Sequence, residues 1–587
     1  MEVNMIKQLA KSIREYKKTA IITPVFMILE VIMEVIIPIL MANLIDYGID
    51  KGNMPYVIKV GIMLVISALI SMFFGVVAGR TAAIASAGFA KNLRHDMYYN
   101  VQKFSFSNID KFSTSSIVTR LTTDVSNVQM AFQMLTRMAM RSPFMMIFST
   151  VASFRIDVKL SMIFVASIPV LGIGLYLIMS HAHPIFNRVF KTYDKLNNVV
   201  QENLRGIRVV KSFIREEHEV DKFKNISKSI YDDFTKAEKL LAFNMPLMQF
   251  CMYACMLLVS WFGARAVVAC WGDAEIGLST GELMSLITYA MQILTSLMML
   301  SMVFVMLTIS KASAERICEV LSEKSDIAAK EDAADKVCDG SVDFKNVSFS
   351  YNKSAGKKCL DNINISIKSG ETVGILGGTG SSKSSLVQLI PRLYDVTEGA
   401  VFVGGKDVRD YDINVLRNSV SMVLQKNVLF SGAISENLRW GNEQATDEEL
   451  KEACKLACAD EFISQFPKGY DTYIEQGGTN VSGGQKQRLC IARAILKKPA
   501  ILILDDSTSA VDTKTDALIR KALSESLPKT TKIIIAQRIS SVQDADKIIV
   551  MDDGKINDFG THEELIMRCE IYKEVYESQV KGGSDDE

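Results

Sequence analysis

Gly377-Gly378-Thr379-Gly380-Ser381-Ser382-Lys383-Ser384-Ser385 stands between an apolar run, Thr372 to Leu376, that reads as a strand and a second, Leu386 to Leu393, that reads as a helix. A strand, a loop of small residues carrying a lysine, and a helix together form the pattern of a phosphate-binding loop of the Walker A kind. In such a loop, successive backbone N–H groups and the positive end of the helix cradle phosphate oxygens. Lys383 then reaches the terminal phosphates and the Ser384 hydroxyl holds magnesium. The residues expected to touch nucleotide here are Gly377, Thr379, Gly380, Ser381, Ser382, Lys383, Ser384 and Ser385. One position departs from the pattern. The usual glycine before the lysine is Ser382, which fits the loop without strain only if its backbone angle is ordinary.

Downstream, an apolar run from Ile501 to Leu504 ends in Asp505 and Asp506, which places a carboxylate beside the Ser384 hydroxyl. Asp505 is the expected magnesium partner, because hard divalent cations take oxygen ligands. Between loop and carboxylates lies Val481-Ser482-Gly483-Gly484-Gln485-Lys486-Gln487-Arg488. This segment resembles the signature of ATP-binding cassette (ABC) proteins. The resemblance implies that Ser482, Gly483, Gly484 and Gln485, at a helix N-terminus, clasp the terminal phosphate of an ATP held by another subunit. It further implies that Tyr351 stacks on adenine and that Gln425 senses magnesium and water. Ser509-Ala510-Val511-Asp512 would then be an interface loop, with Asp512 at the subunit contact. The cofactors implied are ATP and Mg2+.

The chain of 587 residues is too long for one core. Hydrophobic residues make up 49% of it, and 66 basic residues balance 66 acidic ones, which excludes a basic nucleic-acid binder. Of the 30 methionines, 27 precede Cys318, so an apolar half comes before a soluble one. The ten cysteines form no CxxC pair that would cage zinc. Residues Met5 to Lys18 read as a basic amphipathic stretch at the membrane surface, in place of a secretory signal.

Crossing a hydrocarbon core takes about 20 helical residues. Suitable runs recur at Ala20 to Leu44, Val57 to Val77, Ala139 to Phe154, Leu160 to Met179, Leu240 to Ala269 and Leu283 to Ile309. Basic residues after the second and fourth runs (Arg80, Lys91, Arg94 and Lys103; Arg188, Lys191, Arg205, Arg208 and Lys211) place those connections in the cytoplasm. Trp271 to Glu282, with Asp273, Glu275 and Glu282 and no basic residue, reads as an outer loop, so both termini are expected inside. Glu30 and Glu34 lie one turn apart within the first run, where charge is costly. They are read as lining a wet cavity, either contacting a cationic or polar substrate or pairing with Arg137 or Arg141 of the third run.

The fold class expected is thus a polytopic α-helical membrane domain of six transmembrane helices, similar to the exporter type of the family, fused to an α/β P-loop nucleotide-binding domain. The boundaries are an elbow at 1–18, a membrane domain at 19–313, a linker at 314–340, the cassette at 341–578 and a disordered tail at 579–587. Thr114 to Arg120 and Asn203 to Ser212 are the expected coupling helices. Two positions differ from the family pattern. Where a competent cassette has a glutamate after the Walker B aspartate stands Asp506, whose carboxylate is retracted by about 1.5 Å, one bond length. Where it has a switch histidine stands Gln537, a neutral amide that cannot relay a proton.

The pattern resembles the degenerate-site half of bacterial heterodimeric multidrug exporters. It implies a site that binds Mg-ATP and hydrolyses it weakly, a second, non-identical half-transporter as partner, and amphipathic drugs or lipids as cargo. Hydrolysis would then fall mainly at the partner's site, with the chain in the cell membrane and its cassette and termini cytoplasmic. The alternatives are a homodimeric lipid flippase, an importer on the exporter fold, or an ATP-gated regulatory or channel subunit.

Overall fold

The computed structural model describes residues 2–269, 277–327, 330, 332–351, 358–507 and 509–583. The acidic turn with Asp273 and Glu275 therefore lies outside the described residues, as do 584–587 of the expected tail. The chain divides into two compact units, one of residues 1–102 and 114–323, the other of residues 103–113 and 324–587.

The first unit is helical. It comprises α1 (Glu2–Lys11), α2 (Lys17–Asn43) and α3 (Met54–Gln102); α4 (Phe106–Lys111) belongs to the other unit. It continues through α5 (Thr114–Thr119), α6 (Val125–Ile156), α7 (Val158–Arg205) and α8 (Ile207–Ser212), then α9 (Glu216–Leu241), α10 (Asn244–Ala269) and α11 (Thr280–Ser322). Among the described residues, five helical stretches are long and apolar enough to cross a membrane: Arg14–Ile49, Met54–Gln102, Val158–Arg205, Glu216–Ala269 and Thr280–Ser322. The sixth expected crossing lies in α6, which at 32 residues is long enough, but Arg137, Arg141 and Arg155 leave it outside that set. At 49 residues α3 extends about 70 Å, more than twice the roughly 30 Å of a hydrocarbon core.

In an apolar layer every backbone group needs an internal partner, and Pro38 inside α2 removes one donor. α11 answers with side chains. Gln292 Nε2 donates to the Glu34 carbonyl at 3.4 Å, Tyr289 Oη to the Val35 carbonyl at 2.7 Å, and Ser285 Oγ to the Pro38 carbonyl at 2.6 Å. Farther along, two crossed ion pairs tie the π-helical turn Arg120–Asp124 to α11. Arg316 binds Asp124 through Nε at 2.8 Å and Nη2 at 2.5 Å, and Arg120 Nη1 meets Glu319 Oε2 at 2.8 Å.

The second unit holds β1 (Val342–Phe349), β2 (Leu360–Ile367), β3 (Thr372–Gly377), α12 (Lys383–Gln388), β4 (Glu398–Val403), β5 (Lys406–Asp407), α13 (Ile413–Ser419) and β6 (Val420–Val423). There follow β7 (Gly432–Ala433), α14 (Ile434–Arg439), α15 (Asp447–Leu456), α16 (Asp460–Ile463), β8 (Tyr473–Ile474) and α17 (Gly483–Leu496). The unit ends with β9 (Ile501–Asp505), α18 (Thr513–Ser526), β10 (Thr531–Ile535), β11 (Lys547–Asp552), β12 (Lys555–Gly560), α19 (His562–Arg568) and α20 (Glu570–Gly583).

Six strands form the main sheet in the order β12-β11-β3-β10-β9-β6, parallel except for β12. Its parallel strands are buried on both faces, so they read as continuous apolar runs, whereas the edge strand β12 is largely exposed. Ile501 and Ile503 of β9 pack on the same side as Val342 and Leu386, while Leu502 and Leu504 pack against Leu489 and Ile519 of α17 and α18. This alternation is the two-residue period of a strand.

Three boundaries differ from the sequence reading. α11 runs on to Ser322, so residues 314–322 are helical and belong to the first unit. α20 runs to Gly583, so residues 579–583 are helix. The segment ahead of α5 that folds with the second unit is 103–113, earlier than the expected Thr114 to Arg120. It is fixed by the Ser105 cap on Asn108, by Ser107 Oγ to Asp326 Oδ2 at 2.7 Å and by Tyr394 Oη to Asp110 Oδ2 at 2.7 Å. The break in helix between α3 and α4 is made by that cap, which the apolar periodicity of the region does not register. The other expected coupling segment contains α8, followed by Phe213 and Ile214, 73% and 84% exposed.

Asp124 is 1% exposed and half-exposed Arg316 is its bidentate partner. Asp124→Ala is expected to cost about 1–2 kcal/mol, because Arg316 rehydrates while the helix contact is lost. A fall of a few degrees in the thermal unfolding of the full-length protein in detergent would be the sign, and an unchanged transition would show the crossed pairs to be idle.

Candidate nucleotide site and membrane charge cluster

Because β3, β10, β9 and β6 run parallel, the segments leaving their C-terminal ends emerge along one edge of the sheet. Those segments carry the Gly377–Ser385 loop, Gln537, Asp505-Asp506 and Gln425. Ile535 pairs with both Ile375 and Asp505, and Val423 with Leu504, so the four segments start level. Strand spacing then confines them to about 14 Å, three steps of about 4.8 Å.

Within the loop, Lys383 Nζ donates to the carbonyls of Gly377 and Gly378, each at 2.8 Å, and lies 3.3 Å from Ser381 Oγ. Burial pulls the Lys383 ammonium below its ordinary pKa, opposed by the charges of Asp506 and Asp505. Gly378, Thr379 and Gly380 form the exposed rim. Ser382 has φ 69 and ψ 25, a left-handed conformation. The departure from glycine therefore falls where glycine has its advantage, since left-handed backbone costs an L-residue roughly 1–2 kcal/mol. Its hydroxyl lies 3.1 Å from Cys359 Sγ, a neighbour that no sequence motif announces.

Ser384 Oγ donates to Asp505 Oδ1 at 2.9 Å. A hydroxyl and a carboxylate at this separation, with Asp505 only 2% exposed, fit a shared Mg2+ ion, for which these are the customary donors. Burial raises the Asp505 carboxyl above its ordinary range, and the nearby Asp506 adds to that, while the Ser384 bond and the Lys383 charge oppose it. Asp506 lies just past β9 at φ 49. Its Oδ2 accepts a 2.9 Å hydrogen bond from Gln537 Nε2, and Gln425 bonds to the same carboxylate. Burial raises the Asp506 carboxyl too, held back by Gln425, Lys383 and Gln537. Gln425 is thus at Asp506, beside the bonded Ser384 hydroxyl and Asp505 carboxylate.

Tyr351, after β1, is half exposed, with its hydroxyl 2.9 Å from Ser385 Oγ and its ring edge-on to Phe349 and Tyr394 at 4.8 and 5.1 Å. Tyr394 holds both this ring and Asp110 of α4, and the sequence reading passed over it because it belongs to no motif.

Ser482 caps α17 in a reciprocal box. Gln485 N donates to Ser482 Oγ at 3.2 Å and Ser482 N to Gln485 Oε1 at 2.9 Å. The first turn of α17, with Gly483 and Gly484, thus opens on a helix N-terminus suited to anions. Gln487 ties this helix to the loop after Asp506: its Oε1 accepts from Ala510 N at 3.0 Å and its Nε2 donates to Ser509 Oγ at 3.3 Å. Asp512 caps α18 through Thr515 N at 2.9 Å.

In the first unit, Arg141 of α6 gathers both glutamates of α2. Nη1 meets Glu30 Oε1 at 2.8 Å, and Nη2 meets both Glu34 oxygens at 2.7 Å. Glu30 is 8% exposed and its Oε2 is buried without a hydrogen-bond partner. Room for that carboxylate exists because residue 75 is glycine; a Cβ there would lie 3.1 Å from it. Among the described residues Arg137 pairs with neither glutamate; it reaches toward Gly79.

Comparison with known families and proteins agrees with this geometry. Residues 20–298 match the ABC transporter transmembrane region and residues 360–509 the ABC transporter family. The chain is similar to YfiB, an uncharacterized ABC transporter ATP-binding protein of Bacillus subtilis, at 37% identity over 97% of each chain. It is 32% identical, over 83% of this chain and 84% of that one, to an ATP-dependent lipid A-core flippase of Desulfotalea psychrophila. Among solved structures, a bacterial Atm1-family ABC exporter with ATP bound superposes with a TM-score of 0.80 over 96% of this chain and 98% of that one, at 23% identity, which is a likeness of fold.

Ser382→Gly removes the left-handed penalty and should raise unfolding stability by about 1 kcal/mol, read by thermal denaturation. Mg-ATP affinity should stay within about threefold, since phosphate is held by backbone N–H groups. A loss of stability would mean that the Ser382–Cys359 contact outweighs the backbone term.

Proposed function

The chain belongs to the ABC transporter family, as an exporter-type membrane domain fused to a nucleotide-binding domain, and from that premise we propose that it is one half of a heterodimeric exporter. It is a multi-pass, ATP-driven membrane transporter. In the proposed reading its own site binds Mg-ATP and hydrolyses it weakly. Its signature completes the competent site of a non-identical partner, and its cargo is an amphipathic drug or lipid taken from the cytoplasmic side.

The observation that carries the reading is the 2.9 Å bond from Gln537 Nε2 to Asp506 Oδ2. To activate water, a carboxylate needs reach and a free lone pair aimed at the nucleophile. Asp506 is one methylene short of a glutamate, and one of its oxygens is occupied by the Gln537 amide. The Gln537 hydrogen bond stabilises the charged carboxylate against the rise that burial gives it, and the amide has no proton to give or take at neutral pH. The binding apparatus differs in this respect: Lys383, Ser384 and Asp505 all keep the chemistry that phosphate and metal need. Ser384 and Asp505 would hold a Mg2+ ion, which would supply neutralisation of the charge on the terminal phosphates. Retained binding with a short, occupied base describes a site suited to holding ATP.

The capped N-terminus of α17 supports the other half of the proposal, since a phosphate supplied from another subunit would meet oriented N–H groups there. On the membrane side we assign Glu34 and Arg141, whose side chains are 25% and 35% exposed, to the polar wall of the transport path, with Glu30 behind them and Arg137 nearby. The flippase relative favours a second reading, a homodimer in which Asp506 and Gln537 serve as they stand.

The two readings separate in ATP turnover. For the heterodimer, the chain purified alone should be nearly inactive and the chain with its cognate half active. Asp506→Glu with Gln537→His should then raise turnover at this chain's own site by up to about a hundredfold, the order of effect a base misplaced by about 1 Å has on rate. Comparable turnover alone and paired, unchanged by restoration, would hand the case to the homodimer.

A further inference from the structure

The loop that carries Gln537 is held from outside the nucleotide site. Gln579, near the end of α20, receives the Ile539 N–H on its Oε1 at 2.8 Å and donates from Nε2 to the Gln537 carbonyl at 2.8 Å. One side-chain amide thus bonds the backbone on both sides of Arg538, as a neighbouring strand would. Gln537 in turn places its own amide on Asp506. The connection runs from C-terminal helix to switch loop to the carboxylate beside the magnesium pair, without a break.

The helix that presents Gln579 is well seated. Tyr572 of α20 is fully buried in a cluster with Leu376, Ile539, Ile548 and Val550, and its hydroxyl lies 2.6 Å from His562 Nδ1. Ile539 therefore belongs to the core by its side chain and to Gln579 by its N–H, while Gln537 and Arg538 are exposed. Without the amide clamp the loop keeps its hydrophobic anchor and loses what fixes the Gln537 backbone.

We infer that Gln579 is a positioning residue for the switch side chain Gln537, and that α20 sets the geometry of the γ-phosphate end of the site through it. The inference rests on the hold of Gln537 on Asp506 proposed above and is independent of whether the partner subunit is identical. Gln579→Met keeps length and bulk and removes both hydrogen bonds.

The test uses the full-length transporter with its partner. Single-turnover conversion of photocrosslinkable 8-azido-ATP bound to this chain reads its own site even when slow. Hydrogen exchange across residues 536–541 reads the loop directly. Q579M is expected to deprotect the Ile539 amide, leave retention of the bound nucleotide unchanged and, by loosening the Gln537 amide from Asp506, speed conversion about fivefold, the effect of losing about one net hydrogen bond. In a Gln537→Ala background it should speed conversion no further, because a residue acting only through Gln537 has nothing left to position. Conversion by Q579M at or below the unmodified rate, a full additional gain on top of Q537A, or an Ile539 amide as protected as before would each overturn the inference, as would an own site that converts no nucleotide at all. The absolute rate at this site bears on the heterodimer proposal, whereas the ratio between variants bears on Gln579.

Discussion

Parallel pairing of β3, β10, β9 and β6 is the constraint on which the nucleotide site depends. A parallel sheet sends all its strand ends the same way, so residues far apart in the chain (Lys383, Gln425, Asp505 and Gln537) converge on one edge. Register does the rest. Opposing Ile535 to both Ile375 and Asp505 brings the Gln537 loop level with the phosphate loop and the two aspartates, and the 2.9 Å contacts Ser384–Asp505 and Gln537–Asp506 follow. A one-residue slip of β10 would turn its buried isoleucines to the opposite faces, where the helix-side and sheet-side cores already fill the space, so the hydrophobic cores fix the chemistry's alignment.

In the membrane unit the corresponding constraint is the cost of charge and unpaired backbone in an apolar layer. α2 carries two glutamates and a proline within three turns, each of which would be unfavourable alone. α6 supplies Arg141 to both carboxylates, and α11 supplies Gln292, Tyr289 and Ser285 to the carbonyls around Pro38. Three helices are thereby keyed to one another by polar groups, whose geometry specifies a register that interchangeable leucines would not. The unpaired Oε2 of Glu30 is the one element of this key left over, and Gly75 makes the space that it occupies.

What the sequence disclosed follows from how local each signal is. The phosphate loop, the Asp505-Asp506 pair and the 481–488 signature are each contiguous, so each could be read along the chain; the structure brings the loop and the two aspartates to one sheet edge and sets the signature at the start of α17. The Glu30–Glu34–Arg141 cluster was legible as a choice between two arginines, and only packing selected Arg141 over Arg137. Other features depend on long-range geometry. The left-handed angle at Ser382 is set by the loop's closure, and the place of α4 in the nucleotide-binding unit by Tyr394, 284 residues away from Asp110. Gln579 had no sequence signal at all, since it lies in a stretch whose composition reads as a tail. Its significance comes from where α20 ends relative to β10.

The same geometry bears on why substitution at two catalytic positions leaves an ordered site. An unpartnered aspartate and a loose amide at the end of a buried sheet would each be left to water or to strain. Here they satisfy one another, with Gln425 completing the carboxylate's partners. A histidine opposite a glutamate has a proton to share and hence a second state available to it. A glutamine opposite an aspartate has one arrangement, amide donating to carboxylate, and that arrangement is the resting one. In the proposed reading the substituted pair trades a switch for a clasp, and a clasp beside Lys383, Ser384 and Asp505 favours nucleotide residence over turnover.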